Sequence, residues 1–530
     1  MKSLAKMRAG SLTLLAVLAS AGPAIAATEV PQGWSPEERA QWWNGPQGSL
    51  IMPYDWFLRL ARADAPGLFA APDHLAGYGF LPSSPGELNP DSLPIGLSRE
   101  TARNEAPYVG MTCAACHTAV LGYKGKSVLI EGAGSMLDTL GFDRDLSVAL
   151  VATASDDAQF AAFAGRLGTP EGDRDALRTR LRAVSASRAA FTAMNKPPHD
   201  HGPGRADALG VIMNALTATA LDKPANARAP DAPVRLPYVW NSPSYSRVQY
   251  NGSISNAGLG PLLRNIGQTL GVYGTVDVSK PGYASSVSVA DLDKLEALLT
   301  KLQPPAWPDM LPPIDKAAAT RGEATFGQAC ASCHAPTAHD ANGLLTMVIV
   351  PLDKVGTDPL AARNFMTRPA ETGPLEGRPI AVFGGPVFGP RAGAATIVGH
   401  ISTAVSAQVP RDRLQAGLGT YRAAIAAAPA RLDAYKAVPL NGVWSGAPYL
   451  HNGSVANLQE MLTSPASRAV RFTVGGAEYD PALVGYPATV AGSGFVLDTT
   501  LPGNSNAGHE YGTTLSDAEK ADLIEYLKGL

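Results

Sequence analysis

The 530-residue sequence lacks a strong net charge, a second long apolar run and any spare cysteine. Its formal charge of −3 gives no reason to expect nucleic acid or an anionic membrane as a partner. The apolar run at residues 12–19 is shorter than the roughly 18 residues that a membrane span needs, and no later run reaches that length. No membrane span is therefore predicted. With 45% hydrophobic and 17% charged residues, the chain can still bury sizeable cores.

The first 26 residues have the pattern of a secretory leader. Lys2, Lys6 and Arg8 precede the apolar run, and the small residues Ala24 and Ala26 follow it. This order of basic, apolar and small-residue segments is typical of a cleaved signal peptide. We therefore expect residues 1–26 to be removed and the mature protein to be periplasmic or secreted.

All four cysteines fall in two copies of one five-residue pattern, Cys-x-x-Cys-His. The copies consist of Cys113, Cys116 and His117, and of Cys330, Cys333 and His334. Two cysteines three apart lie on one helical turn and can form thioethers with the two vinyl groups of one porphyrin, while the adjacent histidine reaches the iron. The sequence therefore predicts two covalently bound haem c groups, with the two histidines as proximal iron ligands.

Two other uses of a Cys-x-x-Cys pair fit these motifs less well. A structural zinc site needs four tetrahedral ligands, and neither copy has a second Cys or His pair at the required spacing. A dithiol redox centre of the thioredoxin type has no use for the histidine that follows. Covalent haem, in contrast, explains both cysteines and the histidine.

The chain divides at a proline-rich segment, residues 303–313, that cannot continue a helix. We expect an N-terminal extension at residues 27–101, packed on a first haem domain at residues 102–304, and a second haem domain at residues 305–530. The predicted fold is mainly α, with two cytochrome c-like haem domains, long loop insertions and few short strands.

Each haem domain is predicted to close with an amphipathic helix. Leu292, Leu295 and Leu299 share one face of the helix before the boundary. Residues 516–519 form a capping box that opens the last helix. Gly322, on the helix before the second motif, and an aromatic residue on the last helix predict a close crossing, as in a small cytochrome c.

Histidine positions distinguish the two predicted haems. An electron-transfer haem fills both axial positions, whereas a catalytic haem leaves one open. No histidine lies between His117 and His199, and Met136 is a thioether candidate there, although such a methionine is more often part of a core. His451 and His509 lie in loops rich in Gly and Asn and are candidates for the second haem. The first iron is therefore the better candidate for an open, reactive site.

Several stretches of the chain resemble one family. The two haem motifs, residues 447–454 and the order of the parts are similar to the bacterial di-haem cytochrome c peroxidase superfamily. Within it, residues 202–205, 248–253, 263–267 and 508–530 most resemble the rubber oxygenase branch, to which the di-haem fatty-acid dioxygenases are related. The resemblance covers nearly all of the mature chain.

The resemblance implies roles for individual residues. His509 becomes the sixth ligand of the second haem, which gives a bis-histidine centre that stores electrons, and His451 becomes the histidine beside the haem in the peroxidase motif. The peroxidases carry a ligating Met fourteen residues after that histidine; here Pro465 stands there, which argues against a Met-ligated centre. Arg205 is a candidate to pair with a haem propionate, because arginine binds carboxylates through two parallel hydrogen bonds.

Two departures from the peroxidases concern the first haem. Tyr250 stands where they have a Trp between the haems, so it is a candidate for electron relay, with a purely structural tyrosine as the alternative. The peroxidases also place a Glu on the distal side as the base that peroxide cleavage needs, but residues 251–275 contain no Asp or Glu. The missing acid therefore predicts an apolar distal pocket without a base, and the resemblance places Arg264, Asn265 and Ile266 near this distal face.

The leading hypothesis is a di-haem dioxygenase that binds oxygen at the first haem and oxidises or cleaves a double bond of an apolar substrate, such as polyisoprene or an unsaturated fatty acid. A peroxidase that reduces hydrogen peroxide with electrons from a small cytochrome is one alternative, and a non-catalytic electron carrier is another. Calcium, known in the peroxidase relatives, could bind to backbone oxygens near Gly446 and Pro448, although nothing in the sequence requires it.

Overall fold

The computed structural model describes residues 27–101, 106–280, 282–381, 385–427, 433–475 and 478–530. These ranges hold 18 α-helices and 18 strands, and the fold is 42% helical and 14% strand. The prediction of a mainly α fold is correct for the helices but underestimates the strands, so the fold is mixed α/β. The predicted leader at residues 1–26 lies outside the described residues. None of the described helices is both long and apolar enough to cross a membrane.

The helices range from single turns to the 21 residues of α7. In chain order they are α1 (Pro36–Asn44), α2 (Tyr54–Arg59), α3 (Pro72–Ala76), α4 (Cys113–Cys116), α5 (Thr139–Ser155), α6 (Asp157–Arg166), α7 (Arg174–Met194), α8 (Ala208–Met213), α9 (Gly260–Gly271), α10 (Val289–Leu299), α11 (Lys316–Ala329), α12 (Ala331–His334), α13 (Leu352–Val355), α14 (Leu360–Thr367), α15 (Ala394–Val405), α16 (Arg411–Ala427), α17 (Leu458–Met461) and α18 (Asp517–Lys528).

The strands are short and belong to eight small sheets within the described ranges. They are β1 (Thr28–Glu29), β2 (Met52–Pro53), β3 (Leu97–Glu100), β4 (Tyr108–Met111), β5 (Thr118–Tyr123), β6 (Lys126–Glu131), β7 (Arg205–Ala206), β8 (Val234–Arg235), β9 (Arg247–Val248), β10 (Ile254–Ser255), β11 (Val276–Asp277), β12 (Ala284–Ser285), β13 (Ile349–Pro351), β14 (Pro369–Glu371), β15 (Arg391–Gly393), β16 (Ala434–Lys436), β17 (Arg471–Val474) and β18 (Phe495–Asp498). Two sheets have three strands, in the orders β1-β6-β5 and β2-β4-β3, and the others are pairs. Only β1 and β6 run parallel among these pairings.

One large apolar core runs through both halves of the chain. Trp42, Trp240 and Trp444 all belong to it, and each is at most 1% exposed. A second core joins the N-terminal segment to helices α5–α7, with Phe57 packed in the same cluster as Phe142. The predicted division into an extension and two haem domains stays a prediction, because a shared core does not mark their boundaries.

Aromatic side chains connect the two halves through backbone carbonyls. The Tyr238 hydroxyl donates to the Pro439 carbonyl at 2.9 Å, and the Trp240 indole donates to the Asn441 carbonyl at 2.8 Å. The Trp444 indole donates to Pro305 at 3.0 Å, within the predicted proline-rich boundary. Buried donors need such partners. These bonds therefore fix residues 238–240 against residues 439–441, and Trp444 against Pro305.

Helices α11 and α18 cross at Gly322, as the sequence predicts. A Cβ atom at this position would lie 2.0 Å from the Asp522 carbonyl oxygen, so only glycine allows this approach. One turn away, the Phe326 and Tyr526 rings meet with centroids 5.2 Å apart. The capping box predicted at residues 516–519 is also present and starts α18.

Substitution of Gly322 by Ala should destabilise the protein by about 1–3 kcal/mol, because the added methyl group forces the two backbones apart. The matched control is Gly327→Ala on the same helix, where nothing lies within 4 Å of the new Cβ. That variant should be stabilised by up to about 1 kcal/mol through helix propensity. Thermal unfolding midpoints of the two variants distinguish these outcomes, and equal midpoints would contradict the close crossing.

Candidate haem sites

The first motif forms a single helical turn, α4, between two small sheets. Both cysteines lie on this turn, and the backbone N–H of His117 donates to the Cys113 carbonyl at 3.0 Å. Gly96 lets β3 approach the turn, since a Cβ atom there would lie 2.4 Å from the Cα of Ala115. The turn that carries the first motif therefore packs directly against the backbone at Gly96.

The imidazole of His117 is oriented by a bond to a distant carbonyl. Its Nδ1 lies 2.8 Å from the Pro237 carbonyl oxygen and donates to it, which leaves Nε2 as the metal-binding nitrogen. Burial lowers the pKa of His117 to about 4, so the ring is neutral at pH 7 and its lone pair is available.

The second motif repeats this geometry on α12, directly after α11. The His334 backbone N–H donates to the Cys330 carbonyl at 3.0 Å, and its Nδ1 donates to the Val438 carbonyl at 2.7 Å. Burial again lowers the pKa of the imidazole. Both motif histidines therefore present Nε2 as the free nitrogen.

Cys113, Cys116 and Cys330 have the environment of neutral thiols rather than of redox or zinc-binding thiolates. All four are free of disulfides. Burial raises the pKa of Cys113 to about 11 and that of Cys116 to about 12, and it also raises the pKa of Cys330. A reactive or metal-bound cysteine has a lowered pKa instead. Within the described ranges, no group of three or more His, Cys, Asp or Glu side chains is placed to hold a metal ion.

His509 faces His334 across the second site. The ring centroids are 6.1 Å apart. This interval fits one metal ion between two imidazole nitrogens, each about 2 Å from the metal and roughly 1 Å in front of its ring centre. Burial lowers the pKa of His509 to about 4, so this ring is also neutral. The residues thus fit a haem with two histidine ligands at the second motif.

The backbone around His509 is held by Arg468, which the sequence did not single out. Its guanidinium donates to the carbonyls of Asn506, Gly508 and His509 at 2.5, 2.9 and 3.2 Å. The His509 N–H donates to the Val355 carbonyl at 2.7 Å. His509 has a φ of 49°, in the left-handed region that a side chain rarely adopts without such support.

The first site has no comparable facing histidine among the described residues. Two of the remaining histidines use a ring nitrogen elsewhere: the Nδ1 of His74 is bonded to Phe69 and that of His400 to Ile380, both at 2.8 Å. His451 stacks on Tyr435 instead. The two motifs therefore differ on the side opposite the proximal ligand.

The three predicted distal residues lie together on α9. Arg264 donates to Glu296 at 2.6 Å, and the Asn265 amide donates to the same carboxylate oxygen at 3.0 Å. Ile266 is fully buried in the large core. The expectation of a pocket without a carboxylate is wrong around Arg264, because α10 contributes Glu296 from outside residues 251–275. Arg264 also lies close enough to lower the pKa of His117, after burial itself.

Residues 248–254 and 449–455 form the same turn in the two halves. Each turn is closed by a bridge between its first and last residues, and each has positive φ at its second and fifth residues. In both, the asparagine at the fourth position accepts from the backbone N–H of the sixth. The third position is Tyr250 in one turn and His451 in the other.

Tyr250 and His451 approach each other from these two turns. Their ring centroids are 6.3 Å apart, and His451 also stacks on Tyr435 at 4.1 Å, a contact that the sequence did not reveal. Burial and the nearby Arg205 and Arg235 lower the pKa of His451 to about 3, so its ring is neutral. The Tyr250 hydroxyl donates to the Arg235 carbonyl at 3.2 Å.

Two cations, the buried Arg247 and the partly buried Lys436, have no carboxylate partner among the described residues. Both terminal nitrogens of Arg247 are buried without a hydrogen bond. Lys436 lies over the Tyr245 ring at 5.2 Å, and burial lowers its pKa to about 7. An uncompensated buried charge is costly, so an anionic group of a cofactor, such as a haem propionate, suits these positions.

Arg205 and the Gly446 carbonyl of the candidate calcium site both form hydrogen bonds with other groups of the protein. Arg205 donates to the carbonyls of Asn452 and His201 and to the side chain of Asn504. Its pairing with a propionate stays a prediction. The Gly446 carbonyl accepts from the Arg235 guanidinium at 2.8 Å, and a cation beside that oxygen would face a positive charge. This arrangement does not favour calcium at Gly446.

Residues 434–473 match a family model described as RoxA-like, cytochrome c-like. The matched segment includes Val438, which orients the second motif histidine, and His451. Together with the motif geometry, the match supports a haem c-binding protein of the RoxA-like, di-haem cytochrome family.

Two proteins of Sinorhizobium fredii (strain NBRC 101917 / NGR234) are similar to the chain. Uncharacterized protein y4iJ is 31% identical, over 95% of this chain and 93% of that protein. Uncharacterized protein y4iM is 30% identical, over 64% of this chain and 74% of that protein. The chain belongs to the family of uncharacterized protein y4iJ.

Replacement of Arg468 by Ala should release the backbone around His509, the predicted sixth ligand of the second haem, and loosen its ring from that position. We expect a partial conversion of the second haem from low spin to high spin, measured by absorption and magnetic circular dichroism spectra. The matched control is Arg471→Ala, an exposed residue three positions away whose ion pair is with Asp498. An unchanged low-spin signal in the Arg468 variant would show that His509 does not depend on this support.

Proposed function

We propose that this protein is a di-haem c-type oxidoreductase in which the first haem is the reaction site and the second stores electrons. The facing rings of His334 and His509 carry the proposal, because His117 has no such partner among the described residues. When bound, haem c supplies an iron that binds and activates oxygen species where a coordination position is open. The RoxA-like match and the two attachment motifs support the same class.

Aromatic contacts between the two related turns support electron exchange. Tyr250, His451 and Tyr435 form a continuous aromatic contact where the two related turns meet. His451 is buried and neutral. It therefore carries no charge around which the protein would have to rearrange when an electron passes. In this proposal Tyr250 relays electrons, and a small electron-donor protein supplies them to the second haem.

We further propose a dioxygenase that oxidises or cleaves a double bond of an apolar substrate. A cavity of about 360 Å³ lies between α9 and α10, and Leu259, Leu262 and Leu292 are among its lining residues. Helix α9 also carries Arg264 and Asn265, so the cavity adjoins the residues expected on the distal side of the first haem. Its leucines offer apolar contact to a hydrocarbon chain, beside the charged Asp293, Glu296 and Arg413 in the same lining.

Reduction of hydrogen peroxide is the second candidate function, and Glu296 favours it. A peroxidase needs a group that takes a proton from one peroxide oxygen and returns it to the other. The carboxylate of Glu296 beside Arg264 supplies a candidate that the sequence pattern of residues 251–275 does not show. The two functions differ in their co-substrate and can be measured separately.

Incubation of the purified protein with polyisoprene or an unsaturated fatty acid under oxygen should give carbonyl or hydroperoxide products, identified by mass spectrometry. Leu262→Phe should reduce product formation by filling the cavity without altering the haem spectra. Leu501→Phe, at an exposed position, is the matched control. No product with any alkene, together with rapid peroxide turnover using a reduced small cytochrome, would identify the second candidate instead.

A further inference from the structure

A single tyrosine side chain links the two carbonyls that orient the motif histidines. The Nδ1 of the first motif histidine donates to the Pro237 carbonyl at 2.8 Å, and the next residue in the chain is Tyr238. The Nδ1 of the second motif histidine donates to the Val438 carbonyl at 2.7 Å, and the next residue is Pro439. The Tyr238 hydroxyl donates to the Pro439 carbonyl at 2.9 Å. Covalent and hydrogen bonds therefore form an unbroken path from one imidazole to the other.

The position of the Tyr238 ring is fixed by its neighbours. Tyr238 is 8% exposed and stacks on Trp240, with the ring centroids 4.6 Å apart and the planes within 3° of parallel. Trp240 is fully buried and donates its indole N–H to the Asn441 carbonyl at 2.8 Å. Burial raises the pKa of the Tyr238 hydroxyl, so the group keeps its proton and remains a hydrogen-bond donor. The path between the two imidazoles therefore has a defined geometry.

The aromatic contact of Tyr250, His451 and Tyr435 is connected to the motifs in a different way. Its members meet through ring contacts, with centroids 6.3 and 4.1 Å apart. Among the described residues, no hydrogen bond or ring contact joins any of the three to a motif histidine. Electronic coupling decays less steeply along covalent and hydrogen bonds than across gaps between rings. The path through Tyr238 is therefore the more continuous connection between the two sites.

We propose that Tyr238 couples the two haems electronically through its hydrogen bond to the Pro439 carbonyl, in addition to the relay through Tyr250. This inference rests on the proposed function, since it concerns electron exchange between the two sites. One electron leaves the second iron, which changes from ferrous to ferric, and reaches the first iron, which changes from ferric to ferrous. Tyr238 keeps its proton and its electrons throughout, because it is a bridge and not a redox centre.

Photolysis of carbon monoxide from the half-reduced protein tests this coupling. Carbon monoxide holds the first iron ferrous while the second is ferric, and a light flash removes the ligand. The electron then passes to the second iron at a rate that absorbance records. Tyr238→Phe removes the hydroxyl but keeps the ring that stacks on Trp240, so the transfer should be several-fold slower. A rate equal to that of the unaltered protein would overturn the inference.

Tyr479→Phe is the matched control. The Tyr479 hydroxyl also donates to a backbone carbonyl in the large core, that of Trp444 at 2.9 Å, but it lies outside the path between the motif histidines. This variant should keep the transfer rate of the unaltered protein. Both variants should keep the absorption spectra and midpoint potentials of the two haems, because the carbonyls that orient the motif histidines remain. Equal slowing in the two variants would indicate a general loosening of the core and contradict a specific path.

A second variant keeps the inference testable if Tyr238→Phe does not retain the low-spin spectrum of the second haem. Tyr250→Leu interrupts the aromatic contact and leaves the bond between Tyr238 and Pro439 in place. A measurable part of the transfer rate should then remain. Complete loss of transfer, with both haem spectra intact, would show that the path through Tyr238 carries no electrons.

The failure of this inference can be distinguished from the failure of the proposed function. If the unaltered protein binds carbon monoxide at neither haem, no iron is open and the proposed reaction site is wrong. If it binds carbon monoxide but no electron passes after the flash, the proposed electron store is wrong. If the electron passes equally fast in the unaltered protein and in Tyr238→Phe, both proposals stand and only the role of Tyr238 is contradicted.

Discussion

The hydrogen bond from the Nδ1 of each motif histidine to a backbone carbonyl is the contact on which both sites depend. His117 bonds to Pro237 and His334 to Val438, so each attachment motif is tied to a segment more than a hundred residues further along the chain. Because this bond fixes the ring and leaves Nε2 free, the path of the later segment determines where an iron can sit. The aromatic contacts that follow each carbonyl then join the two halves.

The same backbone plan serves both halves, and the side chains placed on it make them different. The turns at residues 248–254 and 449–455 share their bridge and their positive-φ positions, but one presents Tyr250 and the other His451. The second half adds His509, fixed by Arg468, opposite its motif histidine. The first half instead carries α9, where Arg264 and Asn265 bind a carboxylate. This difference underlies the proposed division between a reaction site and an electron store.

Local patterns in the sequence predict the haem motifs and the helices, but they do not predict contacts between segments that are distant in the chain. The two motifs and the capping box follow from residues close together in the chain, whereas the crossing of α11 and α18 at Gly322 is predicted from the likeness to a small cytochrome c. The sequence identifies the helix that carries Glu296 only by its leucines. Arg264, which pairs with Glu296, is 32 positions away. Residues 251–275 do contain no Asp or Glu, but this does not prevent α10 from bringing the carboxylate of Glu296 to Arg264. Arg468 likewise acts on carbonyls 38 to 41 residues further on.

Electron paramagnetic resonance of the fully oxidised protein tests the central claim, the inequality of the two haem sites, most directly. The account predicts two ferric signals of equal spin count: a high-spin signal from the haem at His117 and a low-spin signal from the haem held by His334 and His509. Two low-spin signals, or a high-spin signal that persists at the second haem, would contradict it.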